Sequence, residues 1–348
     1  MVVAGEEAAE RFARQLLAYL PHEAVLRYPE RADLPWADTA PDPAVVGARA
    51  RALWSLAKGR EAVVVASARA LLRRVPPRDA QAFEPLTLAA GAALDLSAAT
   101  ERLARMGYER VDAAEEPAQF AVRGGVLDVF AAGETAPVRA ELFGDEIETL
   151  RRYLPSTGQT LADAPPTEVY PCREVVLGTR AVGNVERALG DSPDTDETLA
   201  HDLERMRAGV YFNGVERYLP LMYREPGAPT DYVHPSALVV VAEPRSLFDD
   251  AVRATEAVAA AAKATDLAAP VGAPKVRTAG LFLTPAQLDL GGARRRLTFL
   301  SLMRAGGSVD AELQVRRPDV AGGPERLAGA LRALLDAARD VGLNAEDL

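Results

Sequence analysis

Hydrophobic and polar positions follow two different rhythms along the chain. At the start, Val2 and Val3 precede EEAAERFARQLLAYL, in which Ala9, Phe12, Leu16 and Leu20 fall on one helical stripe. A short strand from Ala24 to Tyr28 leads into PERADLPWADTAPDP, where Asp42 before Pro43 predicts a helix N-cap. That helix carries Val46, Ala50, Leu53, Trp54 and Ala57 on one side and stops at Gly59. AVVVAS (Ala62–Ser67) is a continuous apolar run suited to a strand covered on both faces. Strands alternating with helices in this way predict a parallel α/β sheet.

Near Phe83 the rhythm changes. FEPLTLAAG reads as a strand, and Ser97 is the expected cap of a helix that ends at Gly107. Short strands separated by turn residues follow: YERVD, QFAVR, GVLDVF, PVRAELF and EIETLRRY. ADAPPTEVYP marks the exit, so residues 82–171 are expected to form an inserted α+β domain within an α/β domain begun by residues 1–81. The α/β style then resumes over 172–320, as the second part of that domain with a smaller subdomain. It includes a polar loop and helix ending at Gly209, a buried-strand run ALVVVA (Ala237–Ala242) and an alanine-rich helix from Arg245 to Thr265. Pro270 to Pro274 is a loop, and LFLTP, RRRLTFLSL and AELQVRR give weaker strand signals. The last amphipathic stretch, PERLAGALRALLDAARDVG, places Leu327, Leu331, Leu334 and Ala338 on one face. Residues 321–348 thus read as a linker and the start of a further domain, as in an excised piece.

One stretch breaks the pattern of a plain globular domain. In a strand begun at Pro137, Val138, Ala140 and Leu142 point one way, and Arg139, Glu141 and Phe143 the other. An aromatic beside an arginine on a polar face suits a protein-binding hot spot, or a bulky residue lying under a loop. Both readings stand on sequence alone.

Composition narrows the chemistry. The net charge is −10, so any nucleic-acid contact would have to be local. Local candidates are Arg73–Arg74 and Arg294–Arg295–Arg296, which lack interleaved aromatics and read first as solvated helix ends or strand edges. One cysteine, Cys172, no long apolar run and an acidic N-terminal segment fit a soluble, cytoplasmic protein. The only lysines are Lys58, Lys263 and Lys275, and none sits in G-x-x-x-x-G-K-[ST]. ALVVVA ends in a lone Glu243 where an ATPase would carry paired acids. The three histidines, His22, His201 and His234, have no second ligand at metal spacing. No G-x-S-x-G or Cys/His arrangement offers a nucleophile. No catalysis, metal or cofactor is expected; Asp145, Glu146 and Glu148 read as a solvated strand edge.

With these residues in view, GYERVD (Gly107–Asp112), FAVRGGVLDVFAAG and VRAELFGDEIETL resemble a known domain. It is the inserted second domain shared by the excinuclease subunit UvrB and the transcription-repair coupling factors (the Mfd family). REAVVVAS, YFNGVERYLP and ALVVVAE flank it in the same order, so the likeness covers nearly the whole chain. The counterpart of UvrB's DNA-clamping hairpin, YPERADLPWADTAPDP, is short and offers only Tyr28 and Trp36. With no P-loop, the resemblance is to the degenerate UvrB-like module at the N-terminus of the coupling factors. It implies a degenerate RecA/helicase-like parallel α/β domain, begun after the family's first strand and interrupted by the inserted domain. It also implies UvrA as the partner, through Arg123, Arg139 and Phe143 in R-G-x-x-x-[DE]-x-F and R-x-[DE]-x-F. For the arginines the alternative is an ion pair with Glu141 or Asp128. In full-length members, RNA polymerase and double-stranded DNA are further implied partners, together with ATP-driven translocation and masking of the UvrA face by a C-terminal domain.

Overall fold

The computed structural model describes residues 1–189, 197–268, 278–288, 290 and 295–300. The stretch AELQVRR, the last amphipathic segment, Arg294, the loop around Pro270–Pro274 and the expected 321–348 division lie outside the described residues.

Residues on either side of the insertion build one parallel sheet with helices on both faces. Its elements run β1 (Val2–Val3), α1 (Glu6–Leu16), β2 (Val25–Tyr28), α2 (Pro43–Lys58), β3 (Val63–Ser67) and α3 (Ala68–Leu72). Alternate residues of β3 feed two cores. Val64 and Ala66 pack with Leu53 and Ala50 of α2, whereas Val65 packs with Ala9 and Ala13 of α1. Asp42 caps α2 by accepting from the Ala44 N–H at 2.8 Å, and Gly59 ends it at φ 65°.

The inserted region begins with β4 (Leu86–Leu88) and α4 (Leu96–Arg105). Asp95, rather than Ser97, caps α4, because its carboxylate reaches the Ala98 N–H three positions on, at 2.9 Å. A six-stranded sheet follows: β5 (Glu109–Arg110), β6 (Gln119–Arg123), β7 (Val126–Phe130), β8 (Val138–Phe143), β9 (Glu146–Tyr153) and β10 (Thr160–Asp163), in the order β10-β9-β8-β7-β6-β5. All neighbours are antiparallel except β5 and β6. β11 (Thr167–Val169), in the stretch read as the exit, returns to pair antiparallel with β4. One apolar core runs from Leu86 to Cys172 through Leu103, Phe120, Leu127 and Ile147.

The chain then forms α5 (Thr179–Leu189), which the sequence reading missed, α6 (Glu197–Arg207) and α7 (Leu219–Met222) around a third core that includes Trp36, Val185 and Met206. β12 (Leu238–Ala242), α8 (Pro244–Ala268) and β13 (Arg295–Phe299) complete the parallel sheet in the order β13-β12-β1-β3-β2. β12 departs from the expected buried strand. Only Val241 and Ala242 are buried, and Leu238 is 53% exposed, because the first half of the strand borders a cavity of about 410 Å³. Among the described residues no helix is long and apolar enough to cross a membrane.

Five buried charged side chains and the half-buried Asp33 meet where the two flanking stretches come together. Arg31 donates to Glu174 and Glu216, Arg49 to Glu174, and Arg73 to Glu216 and the Asp33 carbonyl. Three guanidinium groups and the carboxylates of Asp33, Glu174 and Glu216 balance in charge, the condition under which burial of ions is tolerable. This corrects the reading of Arg73–Arg74 as a nucleic-acid patch or solvated helix end. Arg73 is buried in this network, and Arg74 donates to the Pro226 carbonyl at 2.9 Å.

Candidate protein-docking face

The inserted sheet has one apolar and one polar face, and two tight hairpins bring the polar face to a point. Arg123 pairs with Val126, and Phe143 with Glu146, so each hairpin has a two-residue loop. Gly124 and Gly144 open these loops with φ of 60° and 64°, a conformation that costs glycine little. The hairpins are neighbours, since the Leu142 N–H bonds the Gly125 carbonyl at 2.8 Å.

Strand alternation sends Phe120, Leu127, Val129, Ala140 and Leu150 to the core. Arg123, Asp128, Arg139, Glu141, Arg151 and Tyr153 go to the opposite face. Register places Asp128 opposite Arg139, and Arg139 opposite Arg151. Asp128, only 1% exposed, is the hinge of this arrangement. It accepts from Arg139 Nε at 2.7 Å, Arg139 Nη2 at 2.9 Å and Arg123 Nη2 at 2.9 Å. A buried carboxylate with two guanidinium partners is paired and solvent-shielded, so these bonds are of the strong, charge-assisted kind. The hydrogen bond to Asp128 raises the Arg139 pKa above its ordinary value. Arg139 also lies over the Tyr153 ring, 4.5 Å from its centroid, and Tyr153 is fixed by a bond to the Ala114 carbonyl. Glu141 accepts from Thr149 Oγ1 at 2.9 Å and faces Arg151 at 3.7 Å.

The register slips between Glu141 and Leu142, so Thr149 and Ile147 face consecutive residues of β8 and Glu148 is skipped. Beyond this bulge Phe143 stands at the hairpin end, 82% exposed. That exposure excludes the reading of Phe143 as a residue tucked under a loop. For the arginines, the ion pair with Asp128 is present, yet both keep donors on the surface side. Arg123 is 57% exposed along its side chain, and both arginines line a groove of about 540 Å³ with Val126, Glu141, Tyr153 and Pro155. Tyr153 and its stacking role were not foreseen; its place at the end of EIETLRRY, in phase with Thr149 and Arg151, was the available signal.

Other candidates behave differently. Among the described residues no three His, Cys, Asp or Glu side chains group as a metal site. Tyr28 and Trp36 are both buried, Tyr28 beneath the Arg49 guanidinium and Trp36 against Phe282. Asp145, Glu146 and Glu148 are exposed as expected, as are Arg295 and Arg296. Near the carboxyl ends of β1 and β3, two of the chain's own carboxylates bond the start of α1 and its neighbours. Asp250 of α8 accepts from the Gly5 N–H at the start of α1 at 3.1 Å and from Arg69 Nε at 3.1 Å. Glu6 accepts from Ser67 Oγ and, at 2.8 Å, from Arg27 Nη2.

Residues 86–174 match the family described as the UvrB interaction domain. The chain is similar to proteins named transcription-repair-coupling factor: 34% identical over 235 residues (64% of the chain) to that of Myxococcus xanthus and 30% over 339 residues (90%) to that of Mycobacterium bovis. To the Bacillus subtilis protein it is 24% identical over 249 residues, 68% of the chain. These matches cover 20%, 27% and 21% of the relatives' own lengths, so the chain spans about a quarter or less of each. With its UvrB interaction domain and a likeness extending across both flanking stretches, the chain belongs to the transcription-repair-coupling factor family.

Proposed function

We propose that this chain is a non-catalytic docking module that recruits UvrA to stalled transcription complexes for nucleotide excision repair. Arg123, Arg139 and Phe143 form the contact. The observation that carries this reading is the polar face of the UvrB interaction domain, where an exposed phenylalanine ends the strand that carries Arg139, one of two arginines anchored on one buried carboxylate. Aromatic and arginine side chains in such surroundings supply much of the energy of protein interfaces. The absence of a P-loop in the sequence supports a module without ATP turnover, in a degenerate helicase-like α/β domain. RNA polymerase and double-stranded DNA belong, in this reading, to the rest of the full-length protein.

A pull-down with UvrA tests the proposal. Wild-type chain should retain UvrA, and Arg139→Ala and Phe143→Ala should each release most of it. Unchanged retention by both variants overturns the site. ATP hydrolysis by the purified chain overturns the non-catalytic reading.

A further inference from the structure

Arg123 and Arg139 come from different strands, and nothing in their own backbone forces them to act together. They meet because one buried carboxylate receives both. Asp128 Oδ1 accepts from Arg139 Nε, and Oδ2 accepts from Arg139 Nη2 and Arg123 Nη2. The Tyr153 ring closes the other side of Arg139. Among the described residues this leaves Arg139 Nη1 and Arg123 Nε and Nη1 without a protein acceptor, beside the open groove.

We propose that Asp128 is a positioning residue for partner binding: it fixes the two guanidinium planes so that their free N–H edges jointly receive a carboxylate of the partner. This rests on the docking reading above and names the chemistry it requires, an acidic side chain on UvrA entering the groove that Arg123 and Arg139 line. An arginine held as a fork loses less conformational entropy on binding than a free one, so the buried bond acts on affinity without touching the partner. A lysine at position 139 keeps the charge but cannot give two parallel bonds to Asp128.

The test uses the full chain and UvrA, with affinity measured well below the melting temperature of each folded variant. Asp128→Asn should weaken UvrA binding about tenfold, and the Arg139 side-chain Nε–H signal in NMR should lose its protection from exchange. Arg139→Lys should weaken binding nearly as much as Arg139→Ala. A purely structural Asp128 would change melting temperature and leave the affinity of the folded protein alone. Folded Asp128→Asn binding within twofold of wild type, while Arg139→Ala binds at least tenfold more weakly, overturns the positioning role. Should Asp128→Asn not fold, wild-type affinity of Arg139→Lys overturns it equally. Wild-type binding by Arg139→Ala and Phe143→Ala together would instead sink the docking reading itself.

Discussion

Gly47 on α2 approaches Ala132 so closely that a Cβ built on Gly47 would stand 2.6 Å from the Ala132 carbonyl oxygen and 2.8 Å from the Ala132 Cβ. The obstacle is backbone and a short side chain, neither of which can swing aside. This contact joins α2 to the segment just past β7 in the inserted region. Tyr108 reinforces the same region, accepting from the Ala132 N–H at 3.0 Å and donating to the Tyr170 carbonyl at 2.7 Å. Gly47→Val should lower stability by about 1–3 kcal/mol, as overpacking does. Urea unfolding measures this, and an unchanged midpoint would mean the two stretches can move apart without cost.

Arg49 is wholly buried and bonds Glu174, Pro29 and Ala70. Arg49→Ala would leave Glu174 with one fewer cation in a dry site, costing about 3–5 kcal/mol. A melting temperature near that of wild type would show that the network relaxes around the loss.

The same network sets an acid limit. Glu174 is held down to about 2 from its ordinary 4.5, because Arg49, Arg31 and Arg73 together outweigh the opposing effect of burial. A depressed carboxylate stabilises the fold above its unfolded pKa and loses that contribution as pH falls toward its folded value. Stability should therefore drop between about pH 4.5 and 2. The slope of unfolding free energy against pH in that window should be shallower in Glu174→Gln.

Cys172 is buried, donates its thiol to the Met106 carbonyl, and burial pushes its pKa up to about 12. A thiol of this kind is a weak nucleophile at neutral pH. Native protein should not react with an aromatic disulfide reagent at pH 8 over minutes, and denatured protein should release one equivalent. Rapid reaction of the native chain would contradict the closed core around residue 172.

Much of this architecture is written in the local pattern. The Asp42–Pro43 start and Gly59 stop of α2 follow from backbone chemistry that needs no tertiary partner. β8 is legible because its one apolar face forces alternation, which puts Phe143 on the polar side. What stayed hidden depends on long-range partners. Arg49 lies three residues after Val46 and four before Leu53, within the apolar stripe of α2, and only Glu174, far along the chain, makes that tolerable. β11 reads as a proline-rich exit because three residues, TEV, carry too little pattern to announce a return to β4. Arg73 looked like a surface charge for the same reason: its acceptors, Asp33 and Glu216, lie far from it in sequence.

The most direct test of the account is the affinity of the chain for UvrA, wild type against Phe143→Ala, by titration calorimetry. At 82% exposure Phe143 contributes little to the fold, so melting temperature should not move. Binding by Phe143→Ala should weaken by about thirtyfold, equivalent to about 2 kcal/mol. Equal affinity of the two proteins, both folded, would contradict it.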